Sequence, residues 1–171
     1  VSVFINGIQG AKEVDGDIVF QNRYKPITPV GVVVDGKKTF DGKVPEDGAF
    51  TFELYNATVL GEEMVISGDA INTKTTTNGV FTFDRIGYSS LENIGEHYYA
   101  VKEKIDDSAT QIIYDTSVYF VKVTVSEDND RNLVATTKII KDGETVEQIS
   151  FANETKPTPP PVTPRLTSSE Y

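Results

Sequence analysis

Alternation of apolar and polar residues runs through most of this chain, and three stretches break the pattern in the same way. In Val32-Val33-Val34-Asp35-Gly36-Lys37-Lys38-Thr39-Phe40, the phase of Val32, Val34 and Phe40 also contains Lys38. In Tyr99-Ala100-Val101-Lys102-Glu103, the phase of Tyr99 and Val101 contains Glu103. In Ile149-Ser150-Phe151-Ala152-Asn153, the phase of Ile149 and Phe151 contains Asn153. A period of two places each of these polar residues on a core-facing strand surface. A buried lysine, glutamate or amide needs a partner. The economical reading is that the three meet.

The remaining pattern is also that of strands. Phe50, Phe52 and Leu54 alternate as the inward face of a half-buried strand, and residues 79–83, 97–104, 112–114, 117–125, 133–140 and 146–155 read likewise. Residues 56–79 read as polar connections with a weak strand at Met64-Val65-Ile66, and residues 88–95 as a loop or one helical turn. Short strands separated by Asp, Asn, Gly and Pro turns predict an all-β immunoglobulin-like sandwich of about 8–9 strands over residues 31–155. Residues 25–30 form a linker, and residues 156–171 a Pro/Thr-rich extended tail. Residues 1–24 predict a hairpin of residues 1–5 with residues 18–22. Phe20-Gln21-Asn22-Arg23-Tyr24-Lys25-Pro26 has the form of Phe151-Ala152-Asn153-Glu154-Thr155-Lys156-Pro157. The repeat predicts that residues 1–24 are the last strands of a preceding tandem domain and that Asn22 is the counterpart of Asn153. Opening directly on strand-like residues, the chain reads as a fragment of a longer one.

Composition narrows the chemistry. Sixteen Lys and Arg against 26 Asp and Glu give a formal net charge of -10, which disfavours nucleic acid and anionic membrane surfaces as partners. There is no cysteine, so disulfides, thiolate metal sites and cysteine catalysis are excluded. The single histidine, His97, reads as structural. No apolar run approaches the roughly 20 residues of a membrane span. The acidic run Glu127-Asp128-Asn129-Asp130 lacks the glycine and distal glutamate of a calcium loop and reads as a solvated turn. No cofactor or metal site is expected.

Four runs in order resemble a known family: Lys38-Thr39-Phe40-Asp41-Gly42 followed by Gly48-Ala49-Phe50-Thr51-Phe52-Glu53-Leu54; Tyr98-Tyr99-Ala100-Val101-Lys102-Glu103-Lys104; Tyr114-Asp115-Thr116-Ser117-Val118-Tyr119; and Phe151-Ala152-Asn153. They are similar to the streptococcal-type major pilins of Gram-positive bacteria, whose immunoglobulin-like (collagen-adhesin B-type) domains carry an internal Lys–Asn isopeptide bond. The resemblance implies that Lys38 and Asn153 are the crosslinked pair and Glu103 the assisting acid. It implies a structural domain of a cell-wall pilus or adhesin stalk on the extracellular surface. The only catalysis implied is autocatalytic. Its partners would be neighbouring domains or subunits of the same polymer, with sortase and a host ligand as further candidates. In the implied reaction, burial favours a neutral Lys38 amine and a protonated Glu103. Glu103 hydrogen-bonds and polarises the Asn153 carbonyl, the amine attacks, and ammonia leaves. Such a clamp replaces the missing disulfides and resists extension. The sorting pentapeptide of the family is absent, and the lysine used for subunit linkage is not recognisable; Lys141, in the turn before the last strand, is a loose match.

Other readings stand beside these. Lys38 could snorkel to water beside Lys37. Glu103 could pair with Lys38 as a plain buried salt bridge, and Asn153 could be an inert edge residue. Asn56-Ala57-Thr58 and Asn153-Glu154-Thr155 both match glycosylation sequons. A ligand-binding sandwich recognising host protein or glycan is the alternative function, with Tyr88, Tyr98, Tyr99 and Tyr114 as contact residues.

Overall fold

The computed structural model describes residues 25–164 and, as backbone alone, residues 2–3 and 12–13. The short strands β1 (Ser2–Val3) and β2 (Lys12–Glu13) pair antiparallel, so the first half of the expected hairpin finds its partner earlier in the sequence than residues 18–22. Asn22 and the rest of the expected preceding domain lie outside the described residues.

The domain that follows is built from β3 (Val30–Val32), β4 (Asp35–Phe40), β5 (Thr51–Leu60), β6 (Glu63–Thr75), β7 (Val80–Thr82), β8 (Ile86–Tyr88), β9 (Gly95–Lys104), β10 (Ile112–Ile113), β11 (Val118–Glu127), β12 (Leu133–Lys141), β13 (Glu144–Val146) and β14 (Ile149–Thr155). A single 3₁₀ turn, Leu91–Asn93, carries a capping box on Ser90. The strands form a four-stranded sheet in the order β10-β14-β4-β7, a six-stranded sheet in the order β13-β12-β11-β9-β5-β6, and the small pair β3-β8. The two large sheets face each other as an immunoglobulin-like sandwich. Across the interface the Phe52 ring stacks on Phe81 at 3.9 Å between centroids, and Phe151 packs against Phe52 and Tyr119. The Tyr119 hydroxyl donates to the Ser150 carbonyl oxygen at 2.6 Å, tying β11 to β14.

The inward residues are those the alternation picked out: Val34 just before β4, Phe52 and Leu54 on β5, Val101 on β9, Val121, Val123 and Val125 on β11, and Ile149 and Phe151 on β14. Burying aliphatic and aromatic side chains of this size contributes roughly 1.5–3 kcal/mol each. Gly36 sits on the same face of β4, and a Cβ there would meet the Phe81 ring at 2.3 Å; the glycine admits the stacked aromatic pair.

Strand number exceeds the expectation because β3, β8 and β13, each three residues long, add to the strands the alternation predicts. The larger correction concerns residues 56–79. β5 runs on to Leu60 and turns at Gly61, and β6 is the longest strand of the domain, with a register shift opposite Tyr55. It lies at the sheet edge with only β5 as neighbour, and most of its side chains are partly or fully exposed. A strand with no buried face has no apolar stripe to announce it.

β4 and β14, the strands carrying Lys38 and Asn153, are adjacent and parallel, with Phe151 opposite Lys38 and Asn153 opposite Phe40. Asp41, in a left-handed conformation at the end of β4, closes this pair. Its N–H donates to the Asn153 carbonyl oxygen, and its carboxylate accepts from the Thr155 N–H at 2.8 Å and the Thr155 hydroxyl at 2.6 Å. The register that brings Lys38 and Asn153 onto one face is thus held at its far end by a side chain of the lysine-bearing strand.

Candidate functional site: a lysine, a glutamate and an asparagine in the core

Lys38, Glu103 and Asn153 are buried and in contact. The Lys38 Nζ donates to Glu103 Oε2 at 2.8 Å, and the Asn153 Nδ2 donates to Glu103 Oε1 at 2.7 Å. Both partners of the Lys38–Glu103 pair have side chains at 0% exposure. Lys38 and Asn153 reach the site from the four-stranded sheet, and Glu103 from β9 of the facing sheet, where it lies opposite Phe52 of β5. The Lys38 Nζ also stands 4.6 Å from the centroid of the Phe50 ring and 5.9 Å from that of Phe52. Snorkelling of Lys38 and an edge position for Asn153 are both set aside by this arrangement. Lys37, one residue away, points to the opposite, exposed face.

Burial dominates the electrostatics. Loss of water pushes the Lys38 amine down from its ordinary pKa, against the hydrogen bond and charge of Glu103 and the charge of Asp115. It pushes the Glu103 carboxyl up, against Lys38 and the Asn153 hydrogen bond, while the negative charge of Asp115 adds to the rise. Both shifts favour uncharged forms.

The asparagine is oriented differently from the sequence-based expectation. The Asn153 Oδ1 accepts the backbone N–H of Asp115 at 2.8 Å. A backbone N–H can only donate, so the amide atom facing it is the oxygen, which turns the amide nitrogen toward Glu103. Glu103 therefore contacts both nitrogens of the site, and the carbonyl is held by Asp115. Asp115 lies in one of the family-like runs, where strand alternation does not single it out as a site residue. Its carboxylate accepts the N–H of Ala152 and the N–H of Ser117, each at 3.0 Å. Burial alone raises its pKa; those hydrogen bonds from Ser117 and Ala152, with the Lys141 cation, carry the net shift downward and keep it ionised. A cleft lined by Glu53, Lys102, Glu103, Asp115, Thr116 and Ser117 opens beside the site.

Other residues singled out by sequence do not join it. The Lys141 Nζ lies 5.2 Å from the centroid of the Tyr119 ring, at the end of β12. His97 Nε2 is hydrogen-bonded to the Asn93 backbone oxygen at 2.6 Å, a structural role. The tyrosines form no common surface: Tyr88 and Tyr99 share a buried hydroxyl–hydroxyl bond at 2.7 Å, Tyr114 packs on Phe50, and Tyr98 donates to Glu96 on the outer sheet face. Among the described residues no cluster of His, Cys, Asp or Glu could hold a metal ion, and no helix is long and apolar enough to cross a membrane.

Residues 34–156 match the family model described as the Spy0128-like isopeptide containing domain, FctA. No curated protein matches the chain in sequence. Among solved structures, the major pilin from Streptococcus pyogenes is similar at 22% identity and a TM-score of 0.48, over 73% of this chain and 50% of that one. The T-13 major pilin of the same organism is similar at 19% identity and a TM-score of 0.47, over 76% of this chain and 54% of that one. The chain spans about half the length of these structures.

Proposed function

The chain belongs to the Spy0128-like isopeptide domain family, and on that premise we propose that it is a self-crosslinking structural domain of a Gram-positive surface pilus or stalk. The observation that carries this reading is the buried contact of Lys38, Glu103 and Asn153 between the strands at the two ends of the domain. A lysine, a glutamate and an amide are an expensive set to bury, and replacing a buried ion pair by apolar residues is often neutral or stabilising. Their chemistry accounts for their presence.

The neutral Lys38 amine adds to Cγ of Asn153 and a C–N bond forms. Glu103 touches both nitrogens, so it takes a proton from the attacking Nζ through one oxygen and delivers one to Nδ2 through the other. The Cγ–Nδ2 bond then breaks and ammonia departs, with the cleft beside Glu103 and Asp115 as its way out. No water, metal or cofactor enters the balance. Folding holds amine and amide together, so the step is intramolecular and gains the rate advantage of proximity. Each chain reacts once, which makes Glu103 a catalyst of its own domain rather than an enzyme with turnover. Neighbouring subunits of the same polymer are the partners this role calls for, joined by a sortase-type transpeptidase at the cell surface.

Intact-protein mass spectrometry tests the reading. The folded chain is expected to weigh one ammonia less than its sequence, and the Asn153→Ala variant to show the full mass. An unmodified mass for the fully folded wild-type chain would falsify the crosslink.

A further inference from the structure

The carbonyl of Asn153 has a partner of its own, and it is a main-chain group. β10 pairs with β14 only at Thr155 and Glu154, after which the chain leaves the sheet. At Ala152 the exposed side of β14 meets the Asp115 side chain instead: Oδ2 accepts the Ala152 N–H at 3.0 Å, while Oδ1 accepts the Ser117 N–H at 3.0 Å. Asp115 is therefore fixed both to β14 and to its own loop. Its N–H then points at the next side chain along, Asn153 Oδ1, at 2.8 Å. One residue takes a hydrogen bond from the position before the electrophile and gives one to the electrophile itself.

When Lys38 Nζ adds to Cγ, the carbonyl electrons move onto Oδ1. The charge develops at the atom that the Asp115 N–H already faces, in a site where water is excluded. A donor fixed in advance at that place stabilises the transition state more than the ground state. Glu103 does not serve this end, because both of its oxygens face nitrogens. We propose that the backbone N–H of Asp115 is the oxyanion donor of the self-crosslinking step, and that the Asp115 carboxylate is the positioning group that aims it. The inference rests on the crosslinking reading above and divides its labour: Glu103 moves protons between the two nitrogens, and Asp115 holds the oxygen. Bonds and atoms balance as before, since the N–H donates a hydrogen bond and transfers no proton. After ammonia leaves, the new amide carbonyl retains the same donor.

An amide-to-ester replacement between Tyr114 and Asp115 isolates the N–H. The full-length chain is made by cell-free synthesis with the α-hydroxy analogue of aspartate at position 115, and its mass is followed from folding onward. The ester retains the carboxylate and removes the donor. Loss of ammonia is expected to slow roughly 10²–10³-fold, the usual effect of deleting one oxyanion donor. Crosslinking at the wild-type rate in the folded ester chain overturns the assignment of the N–H. Asp115→Ala and Asp115→Asn test the positioning role. Both should fold by circular dichroism; the alanine variant should crosslink slowly, and the asparagine variant should recover part of the rate because its amide oxygen can still accept from Ala152. Wild-type rates in both variants sink the positioning role, and sink the whole proposal should the ester chain fail to fold. A wild-type chain that never loses ammonia is a different outcome, which removes the crosslinking reading itself.

Discussion

Two lysine–glutamate pairs lie on opposite faces of the six-stranded sheet, and their geometry is almost the same. Inside, Lys38 meets Glu103 at 2.8 Å; outside, Lys122 of β11 meets Glu96 of β9 at 2.6 Å. Their electrostatics run in opposite directions. The hydrogen bond to Glu96 holds the Lys122 amine above its ordinary pKa and the hydrogen bond from Lys122 holds the Glu96 carboxyl below its own, so each charge supports the other in water. Burial lowers Lys38 and raises Glu103, so the inner pair is driven toward neutrality. The outer side chains are 30% and 49% exposed, and the inner ones not at all. Distance makes both pairs look like salt bridges; solvation sustains the charges of the outer pair, and its loss favours the uncharged forms of the inner one.

The difference can be broken most severely at Glu103. Glu103→Ala should abolish the loss of ammonia and also leave the Lys38 amine buried without its partner, which alone costs about 3–5 kcal/mol. Its thermal midpoint should fall further than that of Asn153→Ala, which removes the electrophile and leaves the inner pair intact. For Asn153→Ala, losing a tie across a loop of roughly 100 residues should lower the midpoint by on the order of 10–20 °C, read by calorimetry beside the restored mass. Lys122→Ala sharpens the contrast from the outer side: full crosslinking, with a midpoint within about 2 °C of wild type. Lys37→Ala should likewise leave the mass loss unchanged, since its side chain lies on the other face of β4 from Lys38.

The smallest effect concerns pH. Hydrogen bonds from Thr155 hold Asp41 below its ordinary pKa, and those from Ser117 and Ala152 hold Asp115 below its own against the opposing effect of burial. A carboxylate with a depressed folded-state pKa contributes stability that is present above its unfolded value of about 4 and is lost as pH falls through the folded value. Acid titration of the thermal midpoint should therefore show a shallower decline below that value in Asp41→Asn than in wild type, from a slightly lower plateau at neutral pH.

The three site residues are legible in the sequence because each violates a strand period that its neighbours keep. Lys38 among Val34 and Phe40, Glu103 beside Val101, and Asn153 beyond Phe151 are misplaced only if they are unpartnered, so the pattern itself demands that they meet. What joins them is not legible. That β14 lies parallel to β4 is a pairing across more than a hundred residues, and alternation fixes a face but not a neighbour. β6 escapes sequence reasoning because an edge strand exposed on both faces keeps no apolar stripe. The part played by Asp115 escapes it because that part belongs to a backbone N–H, a group every residue but proline possesses. The nearest trace is the spacing Asp115-Thr116-Ser117, in which an aspartate captures the N–H two residues on. The orientation of the Asn153 amide follows only from that donor.

The placement of Lys38 near one end of the domain and Asn153 near the other has a topological consequence. Joined side chain to side chain as proposed, residues 38–153 would become a closed covalent ring from which the flanking segments emerge at one point. A single proteolytic nick anywhere in that ring, in the exposed stretch at residues 104–108 or at residues 126–130, would open the ring without parting the flanking segments. The flanking chain would stay continuous through the proposed isopeptide. The domain would then tolerate damage to its loops that would sever an ordinary polypeptide, and a nicked molecule would still migrate as one piece under denaturing conditions.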